Sequence, residues 1–402
     1  MNNPLFPTPT IEFERRKLEC PGVAELYFTV RPRPGFDLET QARQVFKAIH
    51  EALVEEKAQI FCERIFSTAD VVETLGTIRR EAYGTVDDGV PPTAITVDPG
   101  TYGPFAGVQI HAVVCPQAPV VLRCSGFNDS VIGRKLQHNG SNWLYVLGLH
   151  PGPDQDEANQ AQQMFFCTGC FLRRSGASMK SVARTWLWFR NICGWYDEFN
   201  AARNAFFEAE GLIDRDHCKT HLPASTGIGM PGANGAACTL DLIAMPGAED
   251  QIQLLEGGGD QHSAFNYGSA FSRAAVAPTL AGSTLYISGT AAIDREGETE
   301  HIDRIDAQID DTIAHVRALL KQANCTDDQV LTALVYCKTI EIERVFQRRY
   351  SDLSWPKLTM IGDVCRPELL FEVEVTAGPA QLITQTSSAN TKDDASGNGK
   401  MR

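Results

Sequence analysis

The chain lacks several things that would define common protein classes. No apolar run approaches the roughly 20 residues of a membrane-spanning helix, so contact with a membrane is not expected. Basic residues are few, 36 Lys and Arg against 50 Asp and Glu, for a formal net charge of -14. Nucleic-acid binders rest on clustered Lys and Arg, so the balance argues against that class. It leaves room for an anionic small molecule, because a few buried Arg set a local field against the overall charge. No secretory signal opens the sequence, where Met1-Asn2-Asn3-Pro4 leads into the charged Glu12-Phe13-Glu14-Arg15-Arg16-Lys17. The 12 Cys are scattered over expected core elements, which points to reduced thiols and a cytoplasmic location. Cofactor motifs are missing too. The CxxC of Cys167-Thr168-Gly169-Cys170 lies in a helical pattern and has no second CxxC at zinc spacing. Pro231 breaks any helix after Gly227-Ile228-Gly229, which excludes a dinucleotide loop. No Lys-Ser/Thr follows Gly257-Gly258-Gly259, so it is not a phosphate loop. The expectation is no cofactor and no metal.

What is present is a pattern that occurs three times. Each copy opens with a Tyr-bearing strand: Glu25-Leu26-Tyr27-Phe28-Thr29-Val30, Trp143-Leu144-Tyr145-Val146-Leu147-Gly148 and Thr284-Leu285-Tyr286-Ile287-Ser288-Gly289. Each closes with an alternating strand, over 108–113, 238–243 and 371–376, preceded by a loop Pro at 92, 223 or 356. Repeats fix architecture, so the fold expected is α/β, with three similar units and chemistry in only some of the seams between them. A length of 402 residues, 43% of them hydrophobic, suffices for such a core.

Unit one spans about 20–118, with a helix over 39–49, a strand over 58–66 and a helix from Asp70. Unit two spans about 120–248, with a helix over 156–174, a strand over 181–190 and a helix over 196–207. Unit three spans about 265–382, with a helix over 305–320, a strand over 331–338 and a helix over 341–350. These follow from 3.6-residue and alternating apolar periods. Residues 1–19 are expected to be loose, 249–264 to be a flexible Gly-rich linker, and the Ser-, Asn- and Asp-rich 383–402 to be a disordered tail. Covalently joined units that cover one another's open surfaces predict a monomer with an internal threefold arrangement.

Phe271-Ser272-Arg273-Ala274, Leu285-Tyr286-Ile287-Ser288-Gly289 and Phe371-Glu372-Val373-Glu374 make unit three resemble the YjgF/RidA superfamily, whose members are homotrimers with sites between subunits. The resemblance implies three tandem RidA-like units, of chorismate-mutase-like architecture, as a covalent pseudo-trimer. Over about 20–382, Arg184-Thr185-Trp186 and the stretches 195–203 and 363–370 resemble the chorismatase family, of the 3-hydroxybenzoate synthase type. That implies an enzyme that cleaves chorismate to pyruvate and either 3-hydroxybenzoate or a dihydroxy-cyclohexadiene carboxylate, without metal or organic cofactor. RidA deaminases hold substrate with an Arg shortly after the loop Pro. Lys357-Leu358-Thr359-Met360 follows Pro356 here, which disfavours imine deamination. A metabolite-binding protein without catalysis is the non-enzyme alternative.

Glu372 is the candidate catalytic acid, set against Gln109 and Thr239 at the matching positions of the other units. Protonating an enol-ether carbon needs a carboxylic acid of raised pKa, and burial in a seam would raise it. A strand carboxylate paired to Arg is the plainer alternative. Cys365 is expected to shape the ring pocket and bias the product, by family analogy; the plainer alternative is a buried small hydrophobe. Arg273, Arg203, Arg366 and Arg190 are candidates for the two substrate carboxylates, since planar guanidinium takes each in bidentate fashion. Tyr196 is a candidate hydrogen-bond donor to substrate.

Overall fold

The computed structural model describes residues 10–124, 130–152, 155–216, 219–259 and 261–381. The tail expected over 383–402 lies outside them. Unit one comprises β1 (Ile11–Cys20), β2 (Val23–Pro32), α1 (Leu38–Glu56), β3 (Gln59–Ser67), α2 (Val72–Tyr83), β4 (Thr93–Thr96) and β5 (Phe105–Val114). Unit two comprises β6 (Val120–Cys124), β7 (Ser130–His138), β8 (Ser141–Leu149), α3 (Glu157–Arg174), β9 (Val182–Phe189), α4 (Tyr196–Ala209), the short pair β10 (Ile213–Asp214) and β11 (Lys219–Thr220), β12 (Ala224–Ile228) and β13 (Cys238–Ala244). Unit three comprises β14 (Gln253–Leu255), β15 (Ala274–Thr279), β16 (Gly282–Ala291), α5 (Ile305–Gln322), β17 (Val330–Cys337), α6 (Ile340–Arg349), β18 (Lys357–Ile361) and β19 (Phe371–Ala377).

The three main sheets share one strand order. The opening strand lies beside the closing strand, then the middle strand, then a parallel fourth: β2-β5-β3-β4, β8-β13-β9-β12 and β16-β19-β17-β18. These strands are buried along most of their length because both of their faces are covered. In β2, Leu26, Phe28 and Val30 face α1 and α2; in β8, Leu144 and Val146 face α3 and α4; in β16, Leu285 and Ile287 face α5. Residues of the opposite parity, such as Tyr145 and Tyr286, join a further core that all three units share. Each sheet is therefore covered by helices outside and by the other two sheets inside. The seams close a ring: β3 and β4 pack on β8, β12 on β16, and β17 and β18 on β2. Asp side chains cap α1 and α3, with Asp37 accepting from Thr40 N at 2.9 Å and Asp156 from Asn159 N at 2.9 Å.

Three expectations need correction. Residues 11–20 are not loose: β1 pairs along β2 over its whole length, and Arg16 reaches the carbonyls of Val330 and Ser354 in unit three. The stretch over 249–264 is not a free linker. β14 extends the third sheet beside β15, and buried Gln261 donates to the carbonyls of Ala291 and Ile293. The register expected for Glu372 is also wrong in unit one. The opening-strand tyrosines pair as Tyr27 with His111, Tyr145 with Ile243 and Tyr286 with Thr376. Two residues before those partners stand Gln109, Asp241 and Glu374, and each reaches the preceding unit of the ring. Gln109 donates to Ala333 O, Asp241 accepts from Arg64, and Glu374 accepts from Arg184. Gln109 thus matches Glu374, and the position of Glu372 is held by Gly107 and Thr239.

Candidate active site

A cavity of about 370 Å³ opens in the seam between units two and three. It is of a size that takes small organic ligands. Unit two supplies the face of α4 that carries Tyr196, Asn200 and Arg203, spaced by helical turns, and Ser225 and Gly227 from β12. Unit three supplies Tyr267, Phe271, Arg273, Gly289, Cys365, Arg366 and Glu372. Asp197 and Glu198 line the cavity as well, on the exposed side of α4.

Glu372 lies beside a bulge. Ser288 and Gly289 of β16 face the single residue Glu374 of β19, and the same bulge places Leu147 and Gly148 opposite Asp241 in unit two. A Cβ on Gly289 would stand 2.0 Å from Glu372 Oε1, so only glycine leaves room for the carboxyl. Gly289 N donates to Thr226 Oγ1 at 2.8 Å, and Ser225 N to Ser288 Oγ at 2.9 Å, which pins the two units together under the cavity.

Glu372 is 5% exposed, and its carboxyl forms no hydrogen bond to another described residue. Burial, with the nearby Glu374 adding to it, pushes its pKa up to about 8, against the opposing pull of Arg184 and Arg273. Glu374 has its own partners: Arg184 Nη2 at 2.8 Å and Trp186 Nε1 at 2.8 Å. The same Arg184 nitrogen also donates to Thr226. Two carboxyls on one face of one strand are thus set apart, one satisfied and one held in its acid form.

The cations around it are under-used by the chain itself. Arg273 is 2% exposed; its Nε donates to His262 O at 3.0 Å, while its buried Nη2 makes no hydrogen bond. Arg203 donates from Nη2 to Asn200 at 2.6 Å, and its buried Nε makes none. Arg366 donates to Gly297 O at 2.6 Å. Both Arg273 and Arg366 stack on Tyr267, at 5.6 and 5.5 Å from the ring centre. Burial raises the Tyr196 hydroxyl above its usual range, so it is a neutral donor at pH 7. Half-buried Cys365 has its thiol pushed up to about 12, by desolvation first and by Glu372 second. A thiol so seldom ionised is a poor nucleophile.

The structure therefore brings together Glu372, Cys365, Arg273, Arg203, Arg366 and Tyr196. It does not bring Arg190: half of that side chain is exposed, and it pairs with Glu157 at 3.4 Å and Gly235 O at 3.3 Å. It lies one residue beyond the strand that ends at Phe189 and does not line the cavity. Sequence reasoning missed Tyr267, Asn200 and Ser225, and the Arg184, Trp186 and Glu374 set behind the acid. Arg184-Thr185-Trp186 is visible as a motif, but nothing in one dimension ties it to Glu374, 190 residues away.

The Endoribonuclease L-PSP family model matches residues 262–378. No curated protein matches the chain by sequence. Among solved structures, a chorismatase is similar over 90% of this chain and 99% of its own, with TM-score 0.59 and 18% identity. The Rid family protein YyfA of Yersinia pestis is similar over 32% of this chain and 99% of its own, with 22% identity and TM-score 0.28. Rv2704 of Mycobacterium tuberculosis is similar over the same shares, with 22% identity and TM-score 0.24. With three repeated sheets closed into a ring and an L-PSP match on the third unit, the chain has the chorismatase fold, three tandem RidA-like units joined as an internal pseudo-trimer.

Proposed function

We propose that the protein is a chorismatase, cleaving the enolpyruvyl ether of chorismate in the seam between units two and three. The observation that carries the reading is the buried Glu372 carboxyl, its pKa raised by burial, among three arginines in one cavity. Chorismate has two carboxylates, and the free guanidinium nitrogens of Arg273 and Arg203 suit them. Glu372 gives its proton to the terminal methylene carbon, which becomes a methyl group and leaves an oxocarbenium ion. The carboxylate formed at Glu372 lies beside that cation and stabilises it. Water adds to the cation, and the adduct collapses to pyruvate and the dihydrodiol acid. Alternatively the neighbouring ring hydroxyl displaces the side chain, and the ring aromatises to 3-hydroxybenzoate with no net uptake of water. Pyruvate release from chorismate by the purified protein tests the reading, and its absence sinks it.

Imine deamination is disfavoured at the cavity itself. The strand after a loop Pro that lines this cavity is β12 of unit two, after Pro223, and its Ala224-Ser225-Thr226-Gly227-Ile228 carries no Arg. The ring of mutually covered sheets supports a monomer, and sedimentation at micromolar concentration is expected to give the mass of one chain, about 44 kDa. An obligate trimer of chains would contradict it.

Arg273→Ala is expected to raise KM and lower kcat/KM. A lost charged hydrogen bond costs about 1.5–3 kcal/mol, or roughly 10- to 150-fold. Unchanged steady-state constants would remove Arg273 from substrate binding. Cys365→Ala is expected to keep most chorismate consumption, because the thiol is not ionised at neutral pH. The smaller side chain admits water beside the cation, so the product balance moves toward the dihydrodiol acid. Chromatography of products decides it: an inactive variant points to a nucleophile, and an unchanged ratio takes Cys365 out of product control.

A further inference from the structure

We propose that unit three carries a divalent-cation site formed by Glu300, Asp311 and His315, separate from the catalytic cavity. Their ligand atoms all lie within 4.8 Å of one another. Asp311 and His315 stand one turn apart on α5, so both project from the same face of the helix. Glu300 comes from the loop between β16 and α5 and meets them from outside.

The placement of the buried atoms points to a ligand. His315 is 6% exposed, and its Nε2 is buried without a hydrogen bond. Asp311 Oδ2 is also buried without one. These two atoms face each other at 3.3 Å, close enough to pair when His315 is protonated, but form no hydrogen bond. An imidazole nitrogen and a carboxylate oxygen aimed into one space, with a second carboxylate beside them, are the donor set of a first-row divalent ion. Around a tetrahedral zinc with bonds of about 2.0–2.1 Å, such atoms stand about 3.3 Å apart. The pair on α5 already has that spacing. Rotation of the part-exposed Glu300 side chain closes the rest.

The position gives the ion a structural consequence. Glu300 N donates to Ala292 O at 3.0 Å, and Ile293 bridges Thr299, so Glu300 ends a small hairpin. That hairpin holds Ile293 in the cavity wall and Gly297, whose carbonyl accepts from Arg366. A cation that ties Glu300 to α5 clamps the hairpin without touching a reacting atom. The inference does not depend on what the cavity binds.

Zinc and cobalt chlorides are the probes, applied to the full chain after chelator treatment. One equivalent of Zn²⁺ per chain is expected to stay through gel filtration and to slow amide exchange over residues 292–304. Co²⁺ is expected to give d–d bands without the near-ultraviolet thiolate absorption that cysteine ligands produce. His315→Gln should abolish both effects. Glu300→Gln, a change in a part-exposed loop residue that leaves α5 untouched, should weaken binding at least tenfold. Zinc retained equally by both variants, thiolate absorption with Co²⁺, or no retention by the unaltered chain would each overturn the proposal.

Discussion

Replacing Glu372 by Gln is expected to lower the rate of pyruvate release by about 10²–10⁴-fold, the usual worth of general acid catalysis. Substrate binding is expected to persist, because the guanidinium groups of Arg273, Arg203 and Arg366 are unchanged and Gln keeps the shape of the acid. Isothermal titration with chorismate separates the two effects. Turnover close to that of the unaltered protein would refute the assignment.

The same residue sets the pH dependence. The acid must be protonated, so activity is expected below about pH 8 and should fall as pH rises through that value. Glu372→Gln should lose this limb. Stability follows the same sign. The folded pKa of about 8 lies above the ordinary 4.5, so folding takes up a proton between them. That contribution is complete below pH 4.5 and is lost as pH rises to about 8. The unaltered protein should therefore lose more stability across this window than the Glu372→Gln variant does, as urea midpoints at several pH values would register.

Much of this was legible in one dimension because the strands repeat. The Tyr-bearing openings and the alternating closings needed only a period of two, and α3, α4 and α5 were found within two residues at each end. Six of the seven candidate residues meet in one cavity, and the family-like motifs over 195–203, 271–274 and 363–374 are what marked them in the sequence. What failed depended on pairing. The closing strands align only through their pairing with the opening tyrosines, which the sequence does not display, so Gln109 takes the place of Glu374 and not that of Glu372. Arg190 lies one residue beyond the end of β9 and pairs with Glu157 and Gly235 O instead of entering the cavity. β14 is a three-residue edge strand in a Gly-rich stretch, too short for a period to show. The charged neighbours of Glu372 come partly from another unit, and sequence distance conceals them.

The corrected register also gives the largest stability effect expected. Asp241 is the unit-two counterpart of Glu374 and is fully buried. Its carboxylate accepts from Arg64 Nε at 2.7 Å, Thr93 Oγ1 at 2.8 Å and Gly148 N at 2.7 Å, and so fastens unit two to unit one. Read from the sequence alone, as the mirror in unit two of the substitution at Glu372, Asp241→Asn is expected to do little. In the structure it turns one oxygen into an NH₂ facing other donors and leaves Arg64 charged and unpaired. Breaking such a buried pair costs about 3–5 kcal/mol, a large part of the roughly 5–15 kcal/mol that holds a typical protein folded. The urea midpoint should fall clearly, while molecules that remain folded keep their proton donor, since Glu372 and Glu374 lie in the seam between units two and three. The two substitutions thus predict opposite signatures: Glu372→Gln loses rate and keeps the fold, and Asp241→Asn loses fold and keeps rate. An Asp241→Asn protein with an unchanged midpoint would show that the seam between units one and two does not depend on this ion pair.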